Sequence, residues 1–266
     1  MNKILIYISL LFLQLLNAQS YSGIVEPIKK VNLSLATDGL IMSIKVKEGE
    51  KAKKNDVILT LNSKLQQLEV KRIKTSLDYN SRIFYLKKQI LLVENMYKMS
   101  QELYKKTGSI SKNELIGYEL KFYNLKSELE EIKNNKIQEK VQYNLEKETL
   151  RLYTLRAPFA GVVTKINLDI GEWTTKGEAI VEFVDRTVCF VETNIPQNEI
   201  GNIKLNQKYT ISIKKGDGFV KKQGKVTYIS PIVDSSSGLV LIKIEFNNSS
   251  LDILPGVLAT IEINKI

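Results

Sequence analysis

Residues 36–61 read ATDGLIMSIKVKEGEKAKKNDVILTL, and residues 158–183 read PFAGVVTKINLDIGEWTTKGEAIVEF. An offset of 122 lays Gly39 on Gly161, Ile44 on Ile166, Gly49 on Gly171 and Glu50 on Glu172. It also lays Lys54 on Lys176 and Ile58 on Ile180, with no gap. Each copy has a β-forming run, a Gly-Glu dipeptide and a second apolar run, which reads as strand, tight turn, strand. Gly39, Gly49, Gly161 and Gly171 are expected to supply φ > 0 at turns. One copy has an apolar face that it cannot bury alone, so two copies must pack face to face as a flattened β-sandwich. Trp173, the only tryptophan, follows the second Gly-Glu and is expected to pack.

What separates the copies is polar and heptad-patterned. Lys64–Tyr104 contains neither Gly nor Pro, and strong helix formers dominate it. Val70, Leu77, Phe84 and Leu91 recur every seven residues, as do Ile83, Ile90, Tyr97 and Tyr104. From Glu114 to Tyr153 the series Leu115, Tyr118, Phe122, Leu125, Leu129 and Ile132 keeps 3,4 spacing. Lys136 interrupts it, Tyr143 and Leu150 resume it, and Ile137, Val141, Leu145 and Leu152 form a shifted seam. The interruption predicts a stutter in the second arm. Between the arms, Gly108 is placed to cap the first helix and Ser111 to cap the second, with Glu114 completing a capping box. Two arms of about 40 residues then fold back as an antiparallel coiled coil on the order of 60 Å long.

Residues 187–264 alternate short apolar runs with turn signals, among them Pro255-Gly256. Five or six strands at this spacing predict a small antiparallel barrel or sandwich, with a helical turn within Ile195–Ile203. At the other end, Met1-Asn2-Lys3, the apolar run Ile4–Leu16 and Ala18 read as a secretory signal cleaved near Ala18. Cys189 is the only cysteine, so no intrachain disulfide can form, and its apolar neighbours predict a buried, inert thiol. The chain holds no histidine, which removes His-based acid–base catalysis and most transition-metal sites. The formal charge of +10 accompanies no nucleic-acid-binding motif. Paired carboxylates, a phosphate loop and a nucleophile motif are missing from the C-terminal region, so no catalytic, cofactor or metal site is expected.

The two halves resemble the biotinyl/lipoyl domain. In carriers of that family the hairpin between the halves bears the modified lysine; here about 90 residues replace it, and no carrier lysine can be placed. The split halves, the helical hairpin and the C-terminal β-region, in that order, resemble the periplasmic adaptor (membrane fusion, HlyD-like) proteins of tripartite efflux pumps and type I secretion systems. The resemblance is carried by Ala157-Pro158-Phe159-Ala160-Gly161-Val162-Val163, by Gly171-Glu172, by Gly224–Asp234 and by Leu254-Pro255-Gly256. It implies an elongated multidomain α+β chain: a split lipoyl-like β-sandwich carrying an antiparallel coiled-coil hairpin, then a small antiparallel β-barrel. The segments are a signal peptide (1–18), an N-terminal segment with the first lipoyl-like half (19–62), the hairpin (63–153), the second half (154–185) and the barrel (186–266).

The resemblance also implies a role without a reaction. Such adaptors oligomerise, commonly as six copies, and join an inner-membrane transporter of RND or ABC type to an outer-membrane channel. An RND partner and small-molecule efflux are favoured here; an ABC exporter, a type I secretion system or an envelope coiled-coil scaffold are the alternatives. The tip is expected to meet the channel through Ser100, Tyr104, Gly108, Ser109, Ile110 and Ser111. The family often has Arg, then Leu four later, then Ser seven after that. Ser111 matches the Ser, while Tyr104 and Ser100 stand at the Leu and Arg positions. Many members continue into a membrane-proximal domain; here transporter contact is expected from the barrel and Tyr21–Lys30. The protein is expected in the periplasm, peripheral to the cell envelope.

Overall fold

The computed structural model describes residues 18–264. The expected leader lies outside the described residues, except for Ala18.

Each repeat contributes three strands: β2 (Gly39–Ile44), β3 (Lys51–Ala52) and β4 (Val57–Leu61), then β6 (Gly161–Ile166), β7 (Trp173–Thr174) and the start of β8 (Val181–Pro196). Pairing repeats with the same offset as the sequence. Gly39 lies opposite Thr174 and Leu40 opposite Trp173; Gly161 lies opposite Ala52 and Val162 opposite Lys51. Backbone bonds outside the strands repeat too: Gly49 N–H donates to Val163 O (2.8 Å) and Gly171 N–H to Ile41 O (2.9 Å). The module is therefore an internal pseudo-dimer with a twofold relation. Its core joins mates from the two copies, including Ile41 with Val163, Ile58 with Ile180 and Leu61 with Phe183. Neither half could enclose these side chains alone.

Gly49 and Gly171 hold φ of 82° and 92° with no heavy atom near a virtual Cβ, so turn geometry alone selects glycine there. Gly39 and Gly161 differ from expectation. Neither has positive φ; each opens a strand against a close neighbour. A Cβ on Gly161 would sit 2.5 Å from Val184 O and 2.8 Å from the Phe183 ring, and one on Gly39 would sit 2.9 Å from Leu61 Cδ1. Space, not torsion, requires those glycines. A second symmetric turn escaped the sequence reading: Asn55 (φ 72°) and Gly177 (φ 84°) donate to Ala157 O and Leu35 O.

The barrel comprises β1 (Ala18–Leu33), β12 (Leu258–Asn264), β9 (Lys208–Lys215), β10 (Gly218–Ile229), β11 (Leu239–Asn247) and β8, in that order, and β1–β8 pairing closes it. Its interior is almost wholly aliphatic: Val25, Val191, Ile211, Ile213, Ile242, Ile244 and Ile261 are fully enclosed. The expected short helix is a 3₁₀ turn at Ile200–Asn202. Cys189 is buried as expected, and burial pushes its thiol up.

Two long strands cross the boundary expected at 185/186. β8 runs unbroken from the sandwich into the barrel, and β1 accompanies it, from Leu33↔Val181 to Gly23↔Thr193. A register shift between Pro27 and Lys29 marks the passage. Pro27 has no N–H to give the ladder, so a bulge is where a strand tolerates it. The N-terminal segment is thus a wall of both β-units.

Candidate functional site

The hairpin leaves the module between β4 and β5 (Thr154–Arg156), two adjacent strands of the four-stranded sheet. Leu61 N–H donates to Tyr153 O at 2.9 Å and clamps the two ends of the hairpin together. The first arm consists of α1 (Lys64–Asp78) and α2 (Ser81–Thr107), and the return arm is α3 (Lys112–Arg151).

The expected stutter exists at the predicted level but in the opposite arm. α3 is continuous through Lys136. The first arm is the one that breaks, with Tyr79 extended (φ −77°, ψ 106°). Lys136 Nζ reaches across and donates to Ser76 O (2.6 Å) and Leu77 O (3.2 Å), two carbonyls at the end of α1. Glu139 completes the knot, accepting from Ser76 Oγ (3.1 Å) and pairing with Lys136 at 3.2 Å. The polar residue that interrupts one seam therefore caps the helix facing it.

The break also splits a heptad series. Val70 and Leu77 face inward, while Phe84 and Leu91 are exposed. Beyond the break the inner seam is Leu86, Ile90, Val93, Tyr97 and Ser100, packed on Phe122, Leu125, Leu129 and Ile132 of α3. Tyr97 stacks on Phe122 with centroids 6.2 Å apart, and burial plus a hydrogen bond to Glu119 push its phenol up.

At the tip the chain turns through Gly108 in the left-handed region (φ 65°), whose N–H donates to Leu103 O at 3.1 Å. Only a residue without Cβ adopts this cap freely. Ser111 caps α3, its Oγ accepting the Glu114 N–H at 3.2 Å. Thr107 Oγ1 accepts the Ser109 N–H (3.3 Å) and bonds Ser109 Oγ (2.7 Å). Lys105 and Lys106 lie in the last turn of α2, where positive charge complements the helix dipole. Gly108, Ser109 and Ser111 are exposed, Ile110 is half-buried and Tyr104 is 41% exposed. Ser100 departs from expectation. It is 5% exposed, lies in the inner seam and is not on the tip surface. The heptad phase puts it there, three residues beyond Tyr97.

A second surface went unread in the sequence. Tyr85, Leu92, Met96, Met99 and Leu103 repeat the inner seam one residue out of phase and are all exposed, Met99 by 64%. On α3 and its C-cap the shifted seam Ile137, Val141, Leu145 and Leu152 is exposed as well. One helix pair thus carries its own seam and further apolar stripes. Among the described residues no helix is long and apolar enough to cross a membrane, and no three His, Cys, Asp or Glu side chains could share a metal ion.

Residues 29–185 match the family model of the CzcB-like barrel-sandwich hybrid domain, and residues 189–265 match the CusB-like β-barrel domain. The chain belongs to the CzcB-like membrane fusion, or periplasmic adaptor, family. An uncharacterized protein of Haemophilus influenzae is 21% identical over 228 residues, 85% of this chain and 52% of that protein. The cation efflux system protein CzcB of an Alcaligenes species is 22% identical over 114 residues, 43% of this chain and 22% of CzcB. The chain spans about half the length of the Haemophilus relative. Among solved structures, MacA of Actinobacillus actinomycetemcomitans superposes with a TM-score of 0.78 at 20% identity, covering 93% of this chain and 78% of MacA. In this membrane fusion protein the split sandwich, hairpin and barrel are one fold, and its exposed tip is the candidate contact site.

Proposed function

We propose that this chain is a non-catalytic periplasmic adaptor that links an inner-membrane transporter, of RND type, to an outer-membrane channel for efflux of small molecules. One observation carries the reading: the module's large excursion is a hairpin whose return helix of 40 residues is about 60 Å long and whose tip is capped yet exposed. Such a device holds a contact surface far from the body. The channel-contacting set is Tyr104, Gly108, Ser109, Ile110 and Ser111. The CusB-like match of the barrel supports the RND partner.

The second apolar seam supports assembly of several copies around one axis. An exposed a/d stripe on an already paired helix is what a neighbouring hairpin would cover. Several weak tip contacts arranged in a ring then sum to a stable bridge. A photo-reactive residue at Ser109, crosslinked in cells and followed by mass spectrometry, tests the reading. Recovery of an outer-membrane channel is expected. Recovery of this protein alone would replace the adaptor with a self-assembling scaffold.

A further inference from the structure

The hairpin is packed in two blocks with a polar waist between them. Toward the tip, Leu86, Ile90 and Val93 of α2 close on Phe122, Leu125, Leu129 and Ile132 of α3. Toward the base, Ile73 of α1 is buried and Gln66 Nε2 donates to Glu146 Oε2 at 2.7 Å. Between Ile132 and Tyr143 the half-buried side chains of α3 are Lys136 and Glu139, and the rest are exposed. There α3 holds the first arm by an ion pair and hydrogen bonds, where the blocks on either side use apolar packing. The two blocks are also out of phase. The seam Val70, Ile73 and Leu77 would continue through Phe84, Lys87 and Leu91, but it resumes one residue earlier, through Ile83, Leu86 and Ile90. An unbroken helix turns about 100° per residue, so it could not face α3 with both seams. The break at Tyr79–Asn80 lets both pack.

Two helices joined at both ends bend together only if one can change length against the other. The ends are joined here, by the Gly108 turn at the tip and by Leu61 N–H on Tyr153 O at the base. α3 runs through as a continuous strut. In the first arm Tyr79 is extended, Asn80 is not (φ −117°, ψ 5°), and Asp78–Arg82 are all exposed. Moving one residue between helical and extended geometry changes the arm by about 1.8 Å. With axes about 10 Å apart that is a bend of about 10°, and over the roughly 40 Å of α2 it carries the tip about 7 Å. Tyr79 can shorten the arm and Asn80 can lengthen it, so the tip can move in both directions.

We propose that the hairpin is jointed at Tyr79–Asn80, with Lys136 as the latch of the joint. Hinges are a few residues at element ends that absorb a backbone change, and these two are such residues. Lys136 donates to Ser76 O and Leu77 O only while the end of α1 stands opposite it, so it fixes the observed setting. Bending in either direction draws those carbonyls along α3 and exchanges the contact for water. The tip block and the base block move as units, because each keeps its own packed seam. The joint is a property of the hairpin itself; its use, aiming the tip at a channel over a range of about 14 Å, rests on the adaptor reading.

Double electron–electron resonance on the mature chain tests it. Nitroxides on Lys71→Cys and Asn95→Cys, exposed positions on either side of the break, report the first arm. A second pair on Lys121→Cys and Lys147→Cys reports the same stretch of α3. Cys189 is buried and stays unlabelled. The first-arm distance distribution should be several ångströms wider than that of α3, and Lys136→Met should widen it further while leaving the α3 pair unchanged. Equal widths in the two arms would overturn the joint. A first-arm width that Lys136→Met does not alter would overturn the latch. Absence of channel capture from Ser109, with the wide first-arm distribution retained, would overturn the adaptor use and leave the joint standing.

Discussion

The β-body and the hairpin bury their side chains by different means. In the body, two copies of one unit enclose each other, and many core residues, such as Ile58, Val163 and Phe183, have no exposed surface. In the hairpin, only Ile73, Leu86, Ile90, Val93, Ser100 and Phe122 fall below 9% exposure among residues 64–151. The body has a closed core with scattered exposed apolar side chains, while the hairpin leaves apolar stripes open along both arms. Stability and partnership are therefore divided between the two regions. The body encloses its own core, while the hairpin keeps apolar side chains exposed outside its inner seam.

That contrast can be broken most directly at matched phenylalanines. Phe183→Ala should cost about 3–5 kcal/mol and lower the main thermal transition, because a closed core cannot collapse onto the cavity. Phe122→Ala should instead lower helicity at 222 nm in a separate, earlier transition and leave the sheet transition in place. A single shared transition for both variants would show that the regions do not fold independently.

Gly161→Val against Gly171→Ala separates space from torsion within the body. The first should cost about 1–3 kcal/mol or more through overpacking against Val184 O and the Phe183 ring. The second should cost about 1 kcal/mol through positive φ alone, since its surroundings are empty. Urea midpoints of the two variants check the order, and its reversal would remove the packing explanation.

In the hairpin, Ser111→Ala should lose about 1 kcal/mol of local helix stability and leave the body's midpoint unmoved. Amide exchange over residues 112–116 would show the fraying. Lys136→Met sharpens the same point at the break. Exchange at the end of α1 should rise when the Ser76 and Leu77 carbonyls lose their shared donor, with the tip unaffected.

The smallest effect concerns pH. Tyr21 donates a hydrogen bond to Glu199, and burial, then that hydrogen bond, push its phenol from the ordinary 10.0 up to about 12. The folded state keeps a proton that the unfolded chain loses sooner. This contribution is whole below pH 10 and fades as pH rises from 10 to 12. Phenolate absorbance should show a late-titrating component near pH 12 that is lost in Tyr21→Phe.

Much of this was legible in residue order. An ungapped offset of 122 predicts a pseudo-dimer, because identical spacing imposes identical hydrogen bonds, and the β2–β4 and β6–β8 ladders obey it residue by residue. The caps at Gly108 and Ser111 are local chemistry and sit where expected. Ser100 was misplaced because an alignment to a tip pattern ignores helical phase. Trp173 was expected to pack and is exposed, since a lone aromatic does not announce which side of its strand is covered.

Sequence alone determined the repeated strands, the turns at Gly49 and Gly171, the caps and the level of the interruption at Lys136, since each depends on residues within a few positions of one another or on exact repetition. Tertiary structure decided which arm breaks there, which heptad series faces in, and that β1 and β8 serve both β-units. Those outcomes depend on which distant surfaces meet. A lysine can end its own seam or cap its neighbour's helix, and only the position of the neighbouring carbonyls chooses between them.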